Sequence, residues 1–393
     1  MKIAFVPPWY GKNIPGGAEA LVRSTAEHLH DAGMPVEVLT TCVKDFHSDW
    51  GRNHHRAQVA TENGVPVRRF PVRRRNRAAF DEVNWKLMHG QPVTRQEEQI
   101  YLEENIRSPA LERYVATHTN DYVYVFIPYL FGTTYWGVRA CKGKGLMIPC
   151  LHDEPYARMS AFQEMFRQVP KLILLTAAEQ ELMNSLYDLP DAQSVLIGAG
   201  LDTDWTANAH DFLRKYGLTP PLILYAGRKS QGKNVDILVD YFRRYRRSYQ
   251  RDVDLVLIGG GSTEDSWTQD SRIHDLGFVP TQDKYNAYAA ATVLCQPSLR
   301  ESFSLVIMEA WLAGTPVLVH GACEVTKEHC IRSNGGLYFS NYAEFEICLD
   351  LLLEHKNLNT KLGANGRHYV LENYSWNTIT ERYRRLFKAL EAR

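Results

Sequence analysis

Two glutamates, Glu301 and Glu309, punctuate the stretch T-V-L-C-Q-P-S-L-R-E-S-F-S-L-V-I-M-E-A-W-L-A-G-T-P at 292–316. Ionised carboxylates accept hydrogen bonds from hydroxyls and pair with cations. Residues 292–295 are mainly apolar and stop short of Pro297, which suits the tip of a buried strand. Residues 305–312 are apolar on every side except at Glu309 and read as a buried helix, ended by Gly314 and Pro316. Residues 317–319 open the next strand. The order strand, loop, helix, strand puts Glu301 in the loop and Glu309 inside the helix. Eight helical residues rise about 12 Å at most, a span that suits a long polar ligand gripped at both ends. Free amides at the helix start, near Ser302, Phe303 and Ser304, would attract an anion between the two carboxylates. A sugar joined to a nucleoside by a diphosphate presents hydroxyls, phosphates and hydroxyls in that order. The plainer reading is a solvated Glu301 and a Glu309 with a local partner, and spacing alone leaves both readings open.

Cations for such an anion stand earlier in the chain. A strand at 222–226 leads into G-R-K-S-Q-G-K-N and then a helix from Val235. This matches the G-x-x-x-x-G-K-[ST] phosphate loop except at Asn234, where Ser or Thr would hold magnesium. The next strand, 254–258, runs into Gly259-Gly260-Gly261 with no acid to complete a metal site. An NTPase is therefore set aside, but Arg228 and Lys233 remain two cations at a helix start, suited to a diphosphate. Their plainer reading is solvated loop charge. Near the N-terminus, Gly16-Gly17 lies between a strand at 3–6 and a helix at 18–32, where bare backbone approaches a phosphate or sugar, or simply turns. A further strand, 146–151, ends at His152, where open α/β sheets bind ligands outside the carboxyl ends of their strands.

The elements that must position these residues alternate strand and helix along the chain, the pattern of doubly wound α/β domains. Strands are expected at 36–40, 121–127, 171–176 and 194–197, with a helix at 177–186. Residues 198–209, G-A-G-L-D-T-D-W-T-A-N-A, read as the linker before the alternation restarts. D-T-D at Asp202–Asp204 imitates a metal-binding pair and is read as hinge; D-V-D at Asp252–Asp254 is read as the start of a strand. Strand-then-turn is expected at 275–280, a late strand at 337–339, and a terminal helix from Ser375 with apolar residues at helical spacing. Between His47 and Arg107 the pattern is polar and irregular, an apparent insertion with its best helix at 97–106. It contains six arginines, Arg68, Arg69, Arg73, Arg74, Arg75 and Arg77. These read either as a strand with a solvated basic face or as a local field for an anionic acceptor or an acidic membrane surface.

Composition bounds the rest. The 393 residues suffice for two or three domains. With 45 basic and 45 acidic residues the net charge is zero, which disfavours a dedicated nucleic-acid binder. No apolar run approaches the roughly 20 residues of a membrane span, and M-K-I-A-F-V-P-P is broken too early by proline for a secretion signal. Seven scattered cysteines without a C-x-x-C pair suggest neither disulfides nor a thiolate zinc site, so a cytoplasmic setting is expected.

Taken together, Gly16-Gly17, His152, G-R-K-S-Q-G-K-N and the E-x(7)-E pair Glu301/Glu309 resemble the family-4 retaining glycosyltransferases. The resemblance runs along nearly the whole chain except the 47–107 segment, which would carry acceptor choice. The run His152-Asp153-Glu154-Pro155-Tyr156 resembles enzymes of bacterial surface-polysaccharide assembly. The resemblance implies a GT-B fold, two Rossmann-like doubly wound domains facing a central cleft. Their expected extents are 1–205, an acceptor-binding domain completed by a crossing helix at 375–393, and 206–374, the nucleotide-sugar-binding domain. It implies that Arg228 and Lys233 hold the diphosphate, Glu309 the ribose hydroxyls and Glu301 the transferred sugar. Ser302, Phe303 and Ser304 would offer amides, Phe278 and Val279 would border the base, His152 would touch the sugar and Gly16-Gly17 would close on the phosphate. No metal or cofactor is implied beyond the UDP- or GDP-sugar donor. The acceptor would be a saccharide, free or lipid-linked, with peripheral membrane contact through the arginines. A sugar-nucleotide epimerase of the same fold and a non-catalytic sugar-nucleotide-binding scaffold are the alternatives.

Overall fold

The computed structural model describes residues 2–12, 14–261, 267 and 269–391. The chain forms two α/β units: residues up to Gly200 together with those from Ile379 onward, and Leu201–Thr378.

The first unit is built on an eight-stranded sheet in the order β3-β4-β2-β1-β5-β6-β7-β8. Its strands are β1 (Lys2–Val6), β2 (Val36–Thr41), β3 (Val59–Glu62), β4 (Val65–Phe70), β5 (Tyr122–Phe126), β6 (Leu146–Met147), β7 (Lys171–Leu174) and β8 (Ser194–Leu196). All neighbours run parallel except β3 and β4. Near-continuous burial of β1, β2 and β5 is what a parallel sheet covered by helices on both faces requires. The strand order reverses direction between β1 and β5, which places a switch point at their carboxyl ends.

Two expectations need correction here. The 47–107 segment is not an irregular insertion: it supplies β3, β4 and the helices Arg77–Met88 and Arg95–Glu103. The hairpin turns on Asn63 and Gly64, both at positive φ (48° and 85°), the left-handed pair that a two-residue turn demands. The helix expected at 97–106 starts earlier because Thr94 and Glu97 close a reciprocal capping box. The strand expected at 146–151 stops at Met147, since Pro149 lacks a donor and Cys150 sits at φ 52°, off the extended path. His152 therefore lies five residues beyond the strand end rather than directly at it.

The second unit has an all-parallel six-stranded sheet in the order β11-β10-β9-β12-β13-β14. The strands are β9 (Leu222–Ala226), β10 (Asp254–Ile258), β11 (Ile273–Gly277), β12 (Val293–Gln296), β13 (Val317–His320) and β14 (Gly336–Phe339). From β9 the chain winds outward to β11, then returns to β12 beside β9 and winds the other way. The switch point lies between the loops that follow β9 and β12, the loops of G-R-K-S-Q-G-K-N and of Glu301. The helix Leu305–Leu312 follows β12, and the last helix, Trp376–Glu391, begins in the second unit and belongs to the first from Ile379 on.

Candidate functional site

In the second unit the loop after β9 is fixed by a buried cation that the sequence reading passed over. Lys229 Nζ donates to Asp275 Oδ1 at 3.0 Å and to the Gly259 carbonyl at 2.5 Å, with only 1% of the side chain exposed. The Tyr225 hydroxyl donates to the Arg228 carbonyl at 2.8 Å. With its neighbour so tethered, the Arg228 side chain stands exposed. Lys233 ends the short 3-10 turn Gln231–Lys233, and its Nζ meets Glu301 Oε1 at 2.6 Å across the switch point. The same Glu301 oxygen accepts from Gln296 Nε2 at 3.1 Å. Gln296 is the last residue of β12, 2% exposed, and was not singled out from sequence. The signal for it is a polar residue ending the apolar run V-L-C.

The helix Leu305–Leu312 begins at Ser304, which is left-handed (φ 69°, ψ 74°) and makes no side-chain cap. Uncapped first-turn amides and the positive end of the helix dipole favour an anion there. Among the described residues, Ser304 Oγ, Asn234 Nδ2 and Gln296 Oε1 are buried without a hydrogen-bond partner. Phe303 packs edge-on between His329 and Tyr374, at 5.3 and 4.9 Å between ring centroids, and anchors the loop that carries Glu301. Burial pushes the His329 imidazole down to about 3, so this contact is with a neutral ring.

Glu309 is satisfied separately. Its two oxygens accept from Lys284 Nζ at 2.6 Å and from the Tyr288 hydroxyl at 2.8 Å, both on the helix Thr281–Ala290. It thus has partners within the protein, as the plainer reading allows, though on another helix rather than nearby in sequence, and a carboxylate so paired keeps lone pairs for further donors. Phe278 follows β11 with 74% of its surface exposed, and its ring lies against Gly260, where a Cβ would come within 2.5 Å of the ring. Val279 is half-buried beside it. Asp202 accepts from Trp376 Nε1 at 2.9 Å, and Asp252 and Asp254 both pair with Arg272. Among the described residues no cluster of three or more His, Cys, Asp or Glu is arranged to hold a metal.

In the first unit, Gly16 caps the helix Gly17–Asp31 at φ 139°, and a Cβ there would fall 2.0 Å from Glu19 Oε2. Glu19 in turn accepts from Trp9 Nε1 at 2.9 Å. Trp9, Glu19, Ile127, Pro128 and Phe131 line a pocket at the β1/β5 switch point. His152 is partly exposed, with Nδ1 3.9 Å from Glu154 Oε1, and Glu154 accepts from the Tyr129 hydroxyl at 2.8 Å. The residue before it is held from below: Glu179 accepts from the amides of Leu151 and Leu175, each at 2.7 Å. Burial raises the Glu179 carboxyl to about 7 against the opposing pull of those two amides.

The arginine run is mostly paired within the first unit. Arg69 pairs with Glu62 at 2.5 Å and Arg68 with Glu37 at 3.1 Å; Arg73 lies 3.5 Å from both Glu103 and Glu104. Arg75 stacks over Trp50 and Phe80, 5.0 Å from each centroid, with Asp49 at 3.7 Å. Arg74 is exposed, and Arg77 pairs with Asp81 at 3.2 Å on the surface.

Residues 220–355, which include Arg228, Lys233, Glu301 and Glu309, match the family model described as Glycosyl transferases group 1. An uncharacterized glycosyltransferase of Methanocaldococcus jannaschii is 23% identical over 99% of this chain and 98% of its own. A phosphatidyl-myo-inositol mannosyltransferase of Mycobacterium leprae is 22% identical over 99% of this chain and 97% of its own. Residues 220–355 are thus a group 1 glycosyltransferase domain. The structure of Anabaena HepE in complex with UDP and glucose shares its fold, with a TM-score of 0.70 at 17% identity over 98% of this chain and 99% of that one. The chain thus has two Rossmann-like units with the fold of GT-B glycosyltransferases, as the family resemblance implied. Gly16, Gly17 and His152 lie in its first unit; Arg228, Lys233, Phe278, Val279, Ser302, Phe303, Ser304, Glu301 and Glu309 lie in its second. No described helix is long and apolar enough to cross a membrane.

Proposed function

We propose that this glycosyltransferase moves a hexose from a UDP- or GDP-sugar to a saccharide or lipid-linked saccharide acceptor of bacterial surface-polysaccharide assembly, with retention at the anomeric carbon. The observation that carries the reading is the Lys233–Glu301 contact at 2.6 Å beside the uncapped start of the helix Leu305–Leu312. A cation, a carboxylate and free amides there offer one end to phosphate and the other to sugar hydroxyls. Breaking the anomeric bond develops positive charge on the sugar and negative charge on the diphosphate. Lys233, Arg228 and the amides at Ser304 stabilise the diphosphate without reorganising, as water would have to. The family resemblance favours attack from the face the leaving group vacates, with the departing phosphate taking the acceptor's proton. Glu301 orients the sugar, Glu309 the ribose, and Phe278 and Val279 border the base; the family resemblance gives His152 a sugar contact and Gly16-Gly17 a phosphate contact. The relative named as a mannosyltransferase supports a hexose, and the UDP in the HepE structure supports a nucleotide donor.

Replacing Lys233 by Ala is expected to lower kcat by two to three powers of ten, the loss of about 2.7–4 kcal/mol seen for single oxyanion donors; wild-type turnover in that variant would remove the assigned role. Because protein cations supply the charge, full activity is expected to persist in EDTA, and abolition reversed by a divalent ion would contradict this. Incubation with mass-tagged donor and candidate acceptors separates the readings: transfer makes a glycosylated product, an epimerase changes the donor alone, and a scaffold changes neither. With a lipid-linked acceptor the enzyme would work at the inner membrane face. Of the arginine run, Arg74 and Arg77 are the exposed pair that would meet such a surface, and liposome binding unchanged in the Arg74→Ala/Arg77→Ala variant would remove that contact.

A further inference from the structure

We infer that Gln296 is a sugar-recognition residue whose side-chain carbonyl accepts a hydrogen bond from a hydroxyl of the transferred hexose. The inference rests on the reading of Glu301 as part of a nucleotide-sugar site and adds a residue to it. Gln296 is 2% exposed at the carboxyl end of β12, the strand beside the switch point. Its amide nitrogen donates to Glu301 Oε1 at 3.1 Å. That contact fixes the orientation of the amide, because a carboxylate accepts and only the nitrogen can donate to it. The carbonyl oxygen is therefore directed away from Glu301, and it is buried without a donor.

Asn234 Nδ2, on the residue after Lys233, and Ser304 Oγ, three residues after Glu301, are also buried and lack partners among the described residues. Protein interiors rarely leave such atoms unpaired, and three linked by chain or contact to one ion pair outline the place of a polar ligand. Their chemistry sorts them. A diphosphate diester at neutral pH carries only acceptor oxygens, so it can receive from Asn234 and Ser304 but offers nothing to a carbonyl. A hexose hydroxyl donates as well as accepts. The Gln296 carbonyl thus belongs to the sugar end of the ligand, and the other two can serve the phosphate end.

The test is calorimetric binding of UDP, UDP-glucose and its 2-, 3-, 4- and 6-deoxy analogues, with the GDP-mannose series in parallel, to the full-length wild type and to Gln296→Met. Methionine keeps the length and removes both polar atoms. Wild type is expected to bind one deoxy analogue about tenfold more weakly than its parent. Gln296→Met should bind parent and that analogue alike, with affinity for the free nucleotide changed less than about twofold. Gln296→Asn, which retracts the amide by one carbon, should lose the same discrimination and serves if the Met variant does not fold. Variants that keep every discrimination of the wild type would overturn the inference and leave Gln296 a brace for Glu301. A wild type that binds neither nucleotide nor nucleotide sugar would overturn the donor-site reading itself, and this inference with it.

Discussion

Arg75 shows how one residue changes meaning once its surroundings are known. In sequence it is one of six arginines and reads as surface charge; in the fold its side chain is 7% exposed, lying on Trp50 and Phe80 and facing Asp49. Burial lowers the pKa of its guanidinium, against the pull of Asp49 and Asp81. Arg75→Ala would remove two cation–π contacts and leave a gap under the loop, a loss on the order of 1–3 kcal/mol. Arg74→Ala, at an exposed neighbour, should change stability by less than about 0.5 kcal/mol. Urea unfolding of the two variants checks this, and equal midpoints would contradict the internal role of Arg75. Glu309 makes the same point from the other side. Its helix advertised a buried carboxylate, but Lys284 and Tyr288 lie 25 and 21 residues away, beyond any local pattern.

Elements were legible where their own residues set them. The strands β9 and β10 and the helices Ala177–Leu186 and Leu305–Leu312 lie where apolar runs put them, the last ended before Gly314 and Pro316. The segment 47–107 was misread because its signals are short: Asn63-Gly64 for the hairpin and Thr94 with Glu97 for a helix start. The shortened β6 reflects a backbone choice at Cys150 that no side-chain pattern encodes. The helix Ala177–Leu186 also carries Glu179, whose two amide partners tie the end of β7 to the loop before His152. Its carboxyl is raised from the ordinary 4.5 to about 7 by burial, so the folded chain holds this proton more tightly than the unfolded one. The stability it contributes is full below about pH 4.5 and is lost as pH rises through about 7. Melting temperatures of wild type and Glu179→Gln across that window should therefore draw together or cross as pH rises. A difference independent of pH would contradict the account.

At the scale of the whole molecule, each unit places a loop-lined site at the reversal of its own strand order, the position where open α/β sheets take ligands. The first unit's pocket beside Gly16 and the second unit's Lys233–Glu301 contact both follow from that topology rather than from any single motif. The sequence motifs singled out Lys233 and Glu301, and the fold explains why residues 68 positions apart meet. The orphaned atoms of Asn234, Gln296 and Ser304 were invisible to the sequence, because an unmet hydrogen bond depends on what fails to pack nearby. The central claim is that a nucleotide diphosphate rests on the amino end of the helix Leu305–Leu312 against Lys233. A crystal structure of the protein with UDP or GDP tests it most directly. Phosphate oxygens are expected within hydrogen-bonding distance of Lys233 Nζ and of the backbone amide at Ser304 or Leu305. A bound nucleotide whose phosphates touch neither, with Lys233 still closed on Glu301, would contradict it.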